Sequence, residues 1–277
     1  MAILAEDFVL GNGRPIPKLG FGTWRIPNDL APAAVAEALA VGYRHVDTAR
    51  VYRNEDGVGQ GLKAAGVDRD RVFVTTKIPS AMKDPAAIDG CVDESLRRLD
   101  TDYIDLLLIH APKPWPAQPG DESKTYFAEN SAVWRVMEQA YRAGRLRAIG
   151  VSNFEIPDLT NLLATATIAP MVNQIELRVG YAEDELAAYC RGQGILVEAY
   201  SPNGAGSLID NPQIAAVARR YDVSVARLCV RYALQKDALP LPRSVQPDHI
   251  RANSQIDFEI APADMAILDA LRIDPVD

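Results

Sequence analysis

Four residues of unlike chemistry stand at or just beyond the ends of short apolar runs. They are Asp47 and Tyr52 in HVDTARVYRNE, Lys77 in VFVTTKI and His110 in DLLLIH. A phenol, with an ordinary pKa near ~10, is a weak acid at neutral pH. An ammonium beside it favours the phenolate and lowers that pKa. Lysine and aspartate are rarely buried without a partner, and Asp47 is available to Lys77. A neutral imidazole can donate a hydrogen bond to a substrate oxygen. Together the four would polarise a carbonyl and hand it a proton. Singly, each has a plain structural reading: Asp47 as a loop cap, Lys77 as its ion-pair partner, Tyr52 as a loop anchor, His110 as a core histidine. Their shared place at the ends of neighbouring runs favours a site.

Those positions converge only if the runs are parallel strands. Eight runs read as strands, at 19–23, 43–48, 72–78, 104–110, 147–151, 171–177, 195–201 and 239–243. Helical patterns lie between them at 31–40, 84–99, 131–143, 183–192 and 211–221, with a shorter one at 158–164 and an extra one at 224–235. In 84–99, Ile88, Val92, Leu96 and Leu99 recur at helical spacing. Strand–helix alternation implies parallel pairing with right-handed crossovers. Eight such units in this length predict an α/β fold, a (β/α)8 barrel. Before them, DFVLGNGRPIPKLG predicts an N-terminal β-hairpin turning at Asn12-Gly13. A doubly wound sheet is the alternative; its usual GxGxxG turn is missing, since Gly20-Phe21-Gly22 lacks the third glycine. No internal repeat or low-complexity linker divides the chain, so 1–277 is expected to be one domain. In such a barrel, reactive groups project from the C-terminal strand ends.

The composition sets limits on partners. A net charge of −8 argues against a nucleic-acid surface. The three cysteines, Cys91, Cys190 and Cys229, are far apart, show no metal spacing and suggest a reducing cytoplasm. The N-terminus carries Glu6 and Asp7 and does not read as a signal peptide. No run approaches the ~20 apolar residues of a membrane span.

The chain resembles the aldo-keto reductase family nearly from end to end. The segments carrying the resemblance are PKLGFGTW, HVDTARVYRNE, VFVTTKI, DLLLIH, AIGVSNF, VNQIEL, EAYSP and PRSVQPDHIRANSQIDFEI, in order across residues 17–260. It is most similar to the bacterial 2,5-diketo-D-gluconate reductase-like branch. The resemblance implies NADPH bound in an extended pose, with some use of NADH, and hydride transfer to a small aldehyde or ketone, keto-sugar acids included. Tyr52 would donate the proton, Asp47 and Lys77 would tune it, and His110 would orient the carbonyl. Ser152, Asn153 and Gln174 would hold the nicotinamide amide, and Tyr200 would stack on its ring. Gly22 and Thr23 would let the backbone approach the cofactor, and Ser201 through Asn203 would meet the pyrophosphate. Arg243, Ser244, His249 and Asn253 would form the adenosine end.

Departures from the family pattern concern cofactor choice and pocket shape. Arg243 stands for the usual lysine, His249 for an arginine and Ala252 for a glutamate, which predicts a weaker preference for NADPH. Ala111 replaces a tryptophan and Arg178-Val179 a His-Pro pair, and no long tail follows to Asp277. These point to a more open or reshaped pocket lined by Trp24, Tyr52, Trp115 and the 113–129 loop. A monomer is expected. The alternatives are a metal-dependent hydrolase on the same barrel, using His45, Asp47 and His110, and a non-catalytic NADPH-binding subunit.

Overall fold

The computed structural model describes residues 3–115 and 123–274. Near the N-terminus, β1 (Asp7–Val9) and β2 (Pro15–Pro17) pair antiparallel across a turn in which Gly13 takes a φ of 81°. Asn12 holds the turn through its Oδ1, which accepts from the Arg14 N–H at 3.1 Å. Its Nδ2 donates to the Arg147 carbonyl at 3.0 Å, pinning the hairpin to the chain that enters a later strand.

The eight expected strands all form. They are β3 (Phe21–Gly22), β4 (His45–Asp47), β5 (Phe73–Ile78), β6 (Leu106–Ile109), β7 (Ile149–Ser152), β8 (Val172–Glu176), β9 (Leu196–Tyr200) and β10 (Ala238–Leu241). They lie side by side in chain order and every neighbouring pair is parallel. The first and last meet: the Gly20 N–H donates to Pro240 O at 3.1 Å and the Gly22 N–H to Pro242 O at 3.0 Å. This closes the (β/α)8 barrel. A Cβ on Gly20 would lie 2.4 Å from a Leu241 methyl and 2.7 Å from His45 Nδ1, so the seam requires a glycine. All four residues of β6 are buried, as expected of a parallel strand covered on both faces.

Ten α-helices accompany the strands among the described residues: α1 (Ala31–Val41), α2 (Glu55–Ala64), α3 (Ile88–Leu99), α4 (Phe127–Arg142), α5 (Ile156–Thr165), α6 (Asp184–Gly192), α7 (Pro212–Ala218), α8 (Val225–Gln235), α9 (Pro247–Asn253) and α10 (Pro262–Asp269). The expected helix at 84–99 begins as a 3-10 turn at Pro85–Ala87, where Asp84 Oδ1 accepts from the Ala86 N–H at 3.0 Å. That at 211–221 ends in another, Arg219–Tyr221, closed by Asp222 at a φ of 52°. None of the helices is long and apolar enough to cross a membrane.

Helix α2 is not visible in the sequence pattern because it holds Gly57, Gly59 and Gly61. Each costs about 1 kcal/mol against alanine in a helix. Packing explains them. A Cβ on Gly57 would sit 2.3 Å from Asn28 O, and one on Gly61 2.7 Å from Val35 Cβ in α1. On Gly59 it would lie 2.7 Å from Arg98 O and 2.9 Å from Leu99 O, backbone atoms of α3 that cannot swing aside. Gly59→Ala is therefore expected to lower stability by ~1–3 kcal/mol through overpacking, despite alanine's better helix propensity. Urea unfolding checks this; a midpoint at or above the parent's contradicts it.

Candidate active site

Side chains alternate along a strand, so residues i and i+2 share a face. The barrel interior thus receives His45 and Asp47 from β4, Thr75 and Lys77 from β5, Gln174 from β8 and Glu198 from β9, all buried. Lys77 Nζ donates to Asp47 Oδ2 at 2.7 Å and Oδ1 at 2.8 Å, to Thr48 O at 2.8 Å and to the Tyr52 hydroxyl at 3.4 Å. Tyr52 arrives on the 3-10 turn Arg50–Tyr52. Asn54, completely buried, ties that loop down. Its Oδ1 accepts from Thr48 Oγ1 at 2.9 Å, and its Nδ2 donates to Thr23 O and Ile26 O, each at 2.9 Å. His110 follows directly on β6, its ring edge-on to that of Tyr52 with centroids 5.7 Å apart.

Burial raises the Tyr52 pKa, and this outweighs the opposing pull of the Lys77 ammonium. The sequence led to the opposite expectation, of a phenol tuned down by its lysine. Desolvation decides the direction, so the phenol stays protonated. Burial works to lower Lys77, but the charge of Asp47 beside it, first among the opposing causes, helps hold the ammonium above its ordinary range. Burial, then the Lys77 charge, brings His110 down to about 3, so its imidazole is neutral.

Among the described residues, no group of three or more His, Cys, Asp or Glu side chains is arranged to hold a metal ion. His45 Nε2 meets Thr75 Oγ1 at 2.9 Å. The Lys77 ammonium occupies the place between Asp47 and Tyr52. The hydrolase alternative therefore lacks a ligand set.

Above this group opens a cavity of about 1170 Å³. Asp47, Tyr52 and His110 line it, with Gly22, Trp24, Trp115, Ser152, Asn153, Gln174, Tyr200, Ser201, Asn203, Arg243, Ser244, His249 and Asn253. Three expected site residues do not. Lys77 lies under the floor and reaches the cavity through Asp47 and Tyr52. Thr23 is fully buried, its Oγ1 donating to Asp47 O at 2.9 Å, so it supports the carboxylate's strand rather than facing a ligand. Ala111 is 9% exposed and its carbonyl accepts from Lys83 Nζ at 3.0 Å. It belongs to the packing behind the pocket. Residues 116–122 of the expected pocket loop fall outside the described residues.

Arg178 also sits away from the pocket. It is completely buried, its Nε donates to Glu176 Oε1 at 2.7 Å and it hydrogen-bonds the Asp274 carbonyl. Arg178 therefore holds Asp274 and is not among the residues that line the cavity.

The walls are built for close approach. A Cβ on Gly22 would come within 3.1 Å of Leu241 O. Asn153 holds a φ of 57°; its Nδ2 donates to His110 O at 3.0 Å and its Oδ1 accepts from the Tyr200 hydroxyl at 2.9 Å. The loop after β9 turns through positive φ at Ser201, Gly204, Ala205 and Gly206. In it, Asn203 Oδ1 is buried without a hydrogen-bond partner. Arg25, overlooked in the sequence, lines the cavity with its guanidinium 4.1 Å from the Trp24 ring centroid. Burial and Arg25 both push the Arg243 pKa down, so two guanidinium charges lie near one another. Glu198 was also overlooked; a carboxylate in the middle of the apolar run ILVEAY was the available signal.

The chain is 39% identical over 273 residues to the glyoxal reductase of Bacillus subtilis, covering 98% of this chain and 94% of that one. It is 37% identical to the glycerol 2-dehydrogenase (NADP(+)) of Saccharomyces cerevisiae, over 89% of this chain and 85% of the relative. Among solved structures, an aldo/keto reductase from Brucella melitensis superposes with a TM-score of 0.87 at 35% identity, covering 95% of this chain and 98% of that one. A Bombyx mori aldo-keto reductase in complex with NADP gives 0.86 at 34%, over 95% and 92%. The sequence pattern of the Aldo/keto reductase family matches residues 18–273, and with these relatives it makes the chain an oxidoreductase acting on carbonyl groups: it belongs to the Aldo/keto reductase family.

Proposed function

We propose that the chain reduces small aldehydes and ketones with NADPH, Tyr52 giving the proton. The observation that carries this reading is the Tyr52 hydroxyl at the cavity floor, 3.4 Å from a Lys77 ammonium that is paired with both oxygens of Asp47. NADPH, when bound, supplies the hydride. The cavity residues suit it: the Arg25 and Arg243 guanidinium groups can donate to the phosphates of an extended dinucleotide, and the unpartnered Asn203 Oδ1 can accept from one of its hydroxyl or amide donors. Gln174, Ser152 and Asn153 would hold the nicotinamide amide and Tyr200 would flank its ring. Ser201, Ser244, His249 and Asn253 would contact the rest of the cofactor.

The substrate oxygen would sit between the Tyr52 hydroxyl and the His110 imidazole. His110, neutral, orients it by a hydrogen bond; Tyr52 donates the proton as charge develops there. Lys77 then stabilises the phenolate left on Tyr52, and Asp47 keeps Lys77 charged. Trp24 and Trp115 shape the entrance. Short dicarbonyls and keto-sugar acids are the favoured substrates, in keeping with relatives named for glyoxal and glycerol.

NADPH oxidation with short dicarbonyls, keto-sugar acids and aromatic aldehydes tests the reading. Turnover is expected with at least one class; NADPH binding without any turnover would support the non-catalytic alternative. Arg243 is the proposed 2′-phosphate contact, a charge-assisted bond worth ~1.5–3 kcal/mol. Arg243→Ala is thus expected to raise KM for NADPH by roughly 10–100-fold and leave that for NADH nearly unchanged. A parent enzyme that prefers NADH strongly contradicts the assignment.

A further inference from the structure

Below the proposed proton-donor set lies a carboxyl group that the reaction does not use. Glu198 is completely buried in the middle of β9. Its Oε2 accepts from Gln174 Nε2 at 2.7 Å, and the same nitrogen donates to Asp47 Oδ2 at 2.9 Å. A side-chain amide nitrogen carries two hydrogens, so both are committed to carboxyl groups. Turning the amide over would direct its own oxygen at the Asp47 carboxylate, which has no hydrogen to give. Gln174 Oε1 remains as its uncommitted polar atom, on a residue that lines the cavity.

We propose that Glu198 is a positioning residue that locks the Gln174 amide against Asp47, and so couples the cofactor wall of the cavity to the proton-donor set. This rests on the reading of the site as an NADPH-dependent carbonyl reductase.

The surroundings fit a neutral acid. From β4, Asp47 and His45 face Glu198, His45 Nε2 standing 4.0 Å from Oε1; from β5 Lys77 faces it, and from β8 Gln174. Burial, then the Asp47 charge, pushes the Glu198 carboxyl up to about 8 against the pull of Gln174 and Lys77. Burial, then Lys77, brings His45 down to about 3, so it adds no compensating charge. Ionisation of Glu198 above pH 8 would place a second negative charge near Asp47. That charge disfavours phenolate on Tyr52, so proton donation should weaken as pH rises.

Two variants separate the roles. Glu198→Gln keeps an oxygen to accept from Gln174 but cannot ionise; Glu198→Leu removes the acceptor. At pH 6.5, Glu198→Leu is expected to raise the NADPH Kd, followed by tryptophan fluorescence, by roughly 3–10-fold, the span of one net hydrogen bond. It should lower kcat as well, whereas Glu198→Gln should restore both. In Glu198→Gln the alkaline fall in kcat near pH 8 should be lost. Thermal unfolding without cofactor gives an independent reading. A carboxyl raised from 4.5 to about 8 contributes stability that is full below pH 4.5 and is lost as pH climbs to about 8. The parent's Tm relative to Glu198→Gln should therefore decline across that window. Identical Kd values and pH profiles for both variants and the parent overturn the proposal. A parent that binds NADPH yet reduces no carbonyl overturns the functional reading instead, because the Kd and unfolding comparisons remain measurable.

Discussion

Tyr52→Phe is expected to lower carbonyl reduction by roughly 10²–10⁴-fold, the usual worth of a positioned acid, while the Kd for NADPH stays close to the parent's. The substitution removes one oxygen from a half-buried ring and keeps the ring's edge contact with His110. It costs Lys77 only its longest hydrogen bond, at 3.4 Å, and leaves those to Asp47 and Thr48. The fold and cavity walls should be unaffected. Stopped-flow single turnovers with saturating NADPH separate the chemical step from cofactor binding. His110 cannot supply the missing proton at neutral pH, because it is neutral down to about pH 3. The parent's rate should for the same reason show no acid limb from His110 above about pH 4. Near-parental turnover in Tyr52→Phe would remove Tyr52 from the role of proton donor.

Lys77→Met carries the second large effect, on stability and rate together. Lys77 is 1% exposed and Asp47 4%, and the ammonium contacts both carboxylate oxygens. Taking one partner from a buried ion pair strands the other charge and costs ~3–5 kcal/mol. In a chain of this size that is a fall in Tm on the order of 10 °C. The reaction loses the cation that stabilises phenolate on Tyr52, so kcat should fall, by up to the Tyr52→Phe factor. The double variant Lys77→Met/Asp47→Asn should recover much of the stability, since no charge is left stranded, but none of the rate. Double-mutant analysis of unfolding measures that coupling. A double variant no more stable than the single one would show that the pair is not the energetic unit that its distances imply.

The legible parts of the site were those tied to strand ends. Asp47 and Lys77 stand at the ends of runs readable as strands, whereas Gln174 was named through the family resemblance. Three kinds of information were not local. Thr23 belongs to a matching motif and Ala111 is a departure directly after one, yet the first hydrogen-bonds behind Asp47 and the second packs under Lys83; sequence order does not say which side of a loop meets a cavity. Arg25 joins the site only because the loop after β3 folds across the seam toward Arg243. Helix α2 was hidden because its glycines contradict helix propensity, and only the close approach of α3, α1 and the loop carrying Asn28 explains them.

The sequence by itself determined the barrel, the order of its strands and the convergence of Asp47, Tyr52, Lys77 and His110 at one end of it, because periodicity and strand-end chemistry are written within a few residues of chain. Only the tertiary structure decided the proton states of Tyr52, Lys77, His110 and Glu198. Those depend on burial and on polar and charged groups brought together from β4, β5, β8 and β9, where Asp47 meets Gln174 across 127 residues of chain. Desolvation and electrostatic interaction act through space, and their balance exists only once the barrel has closed.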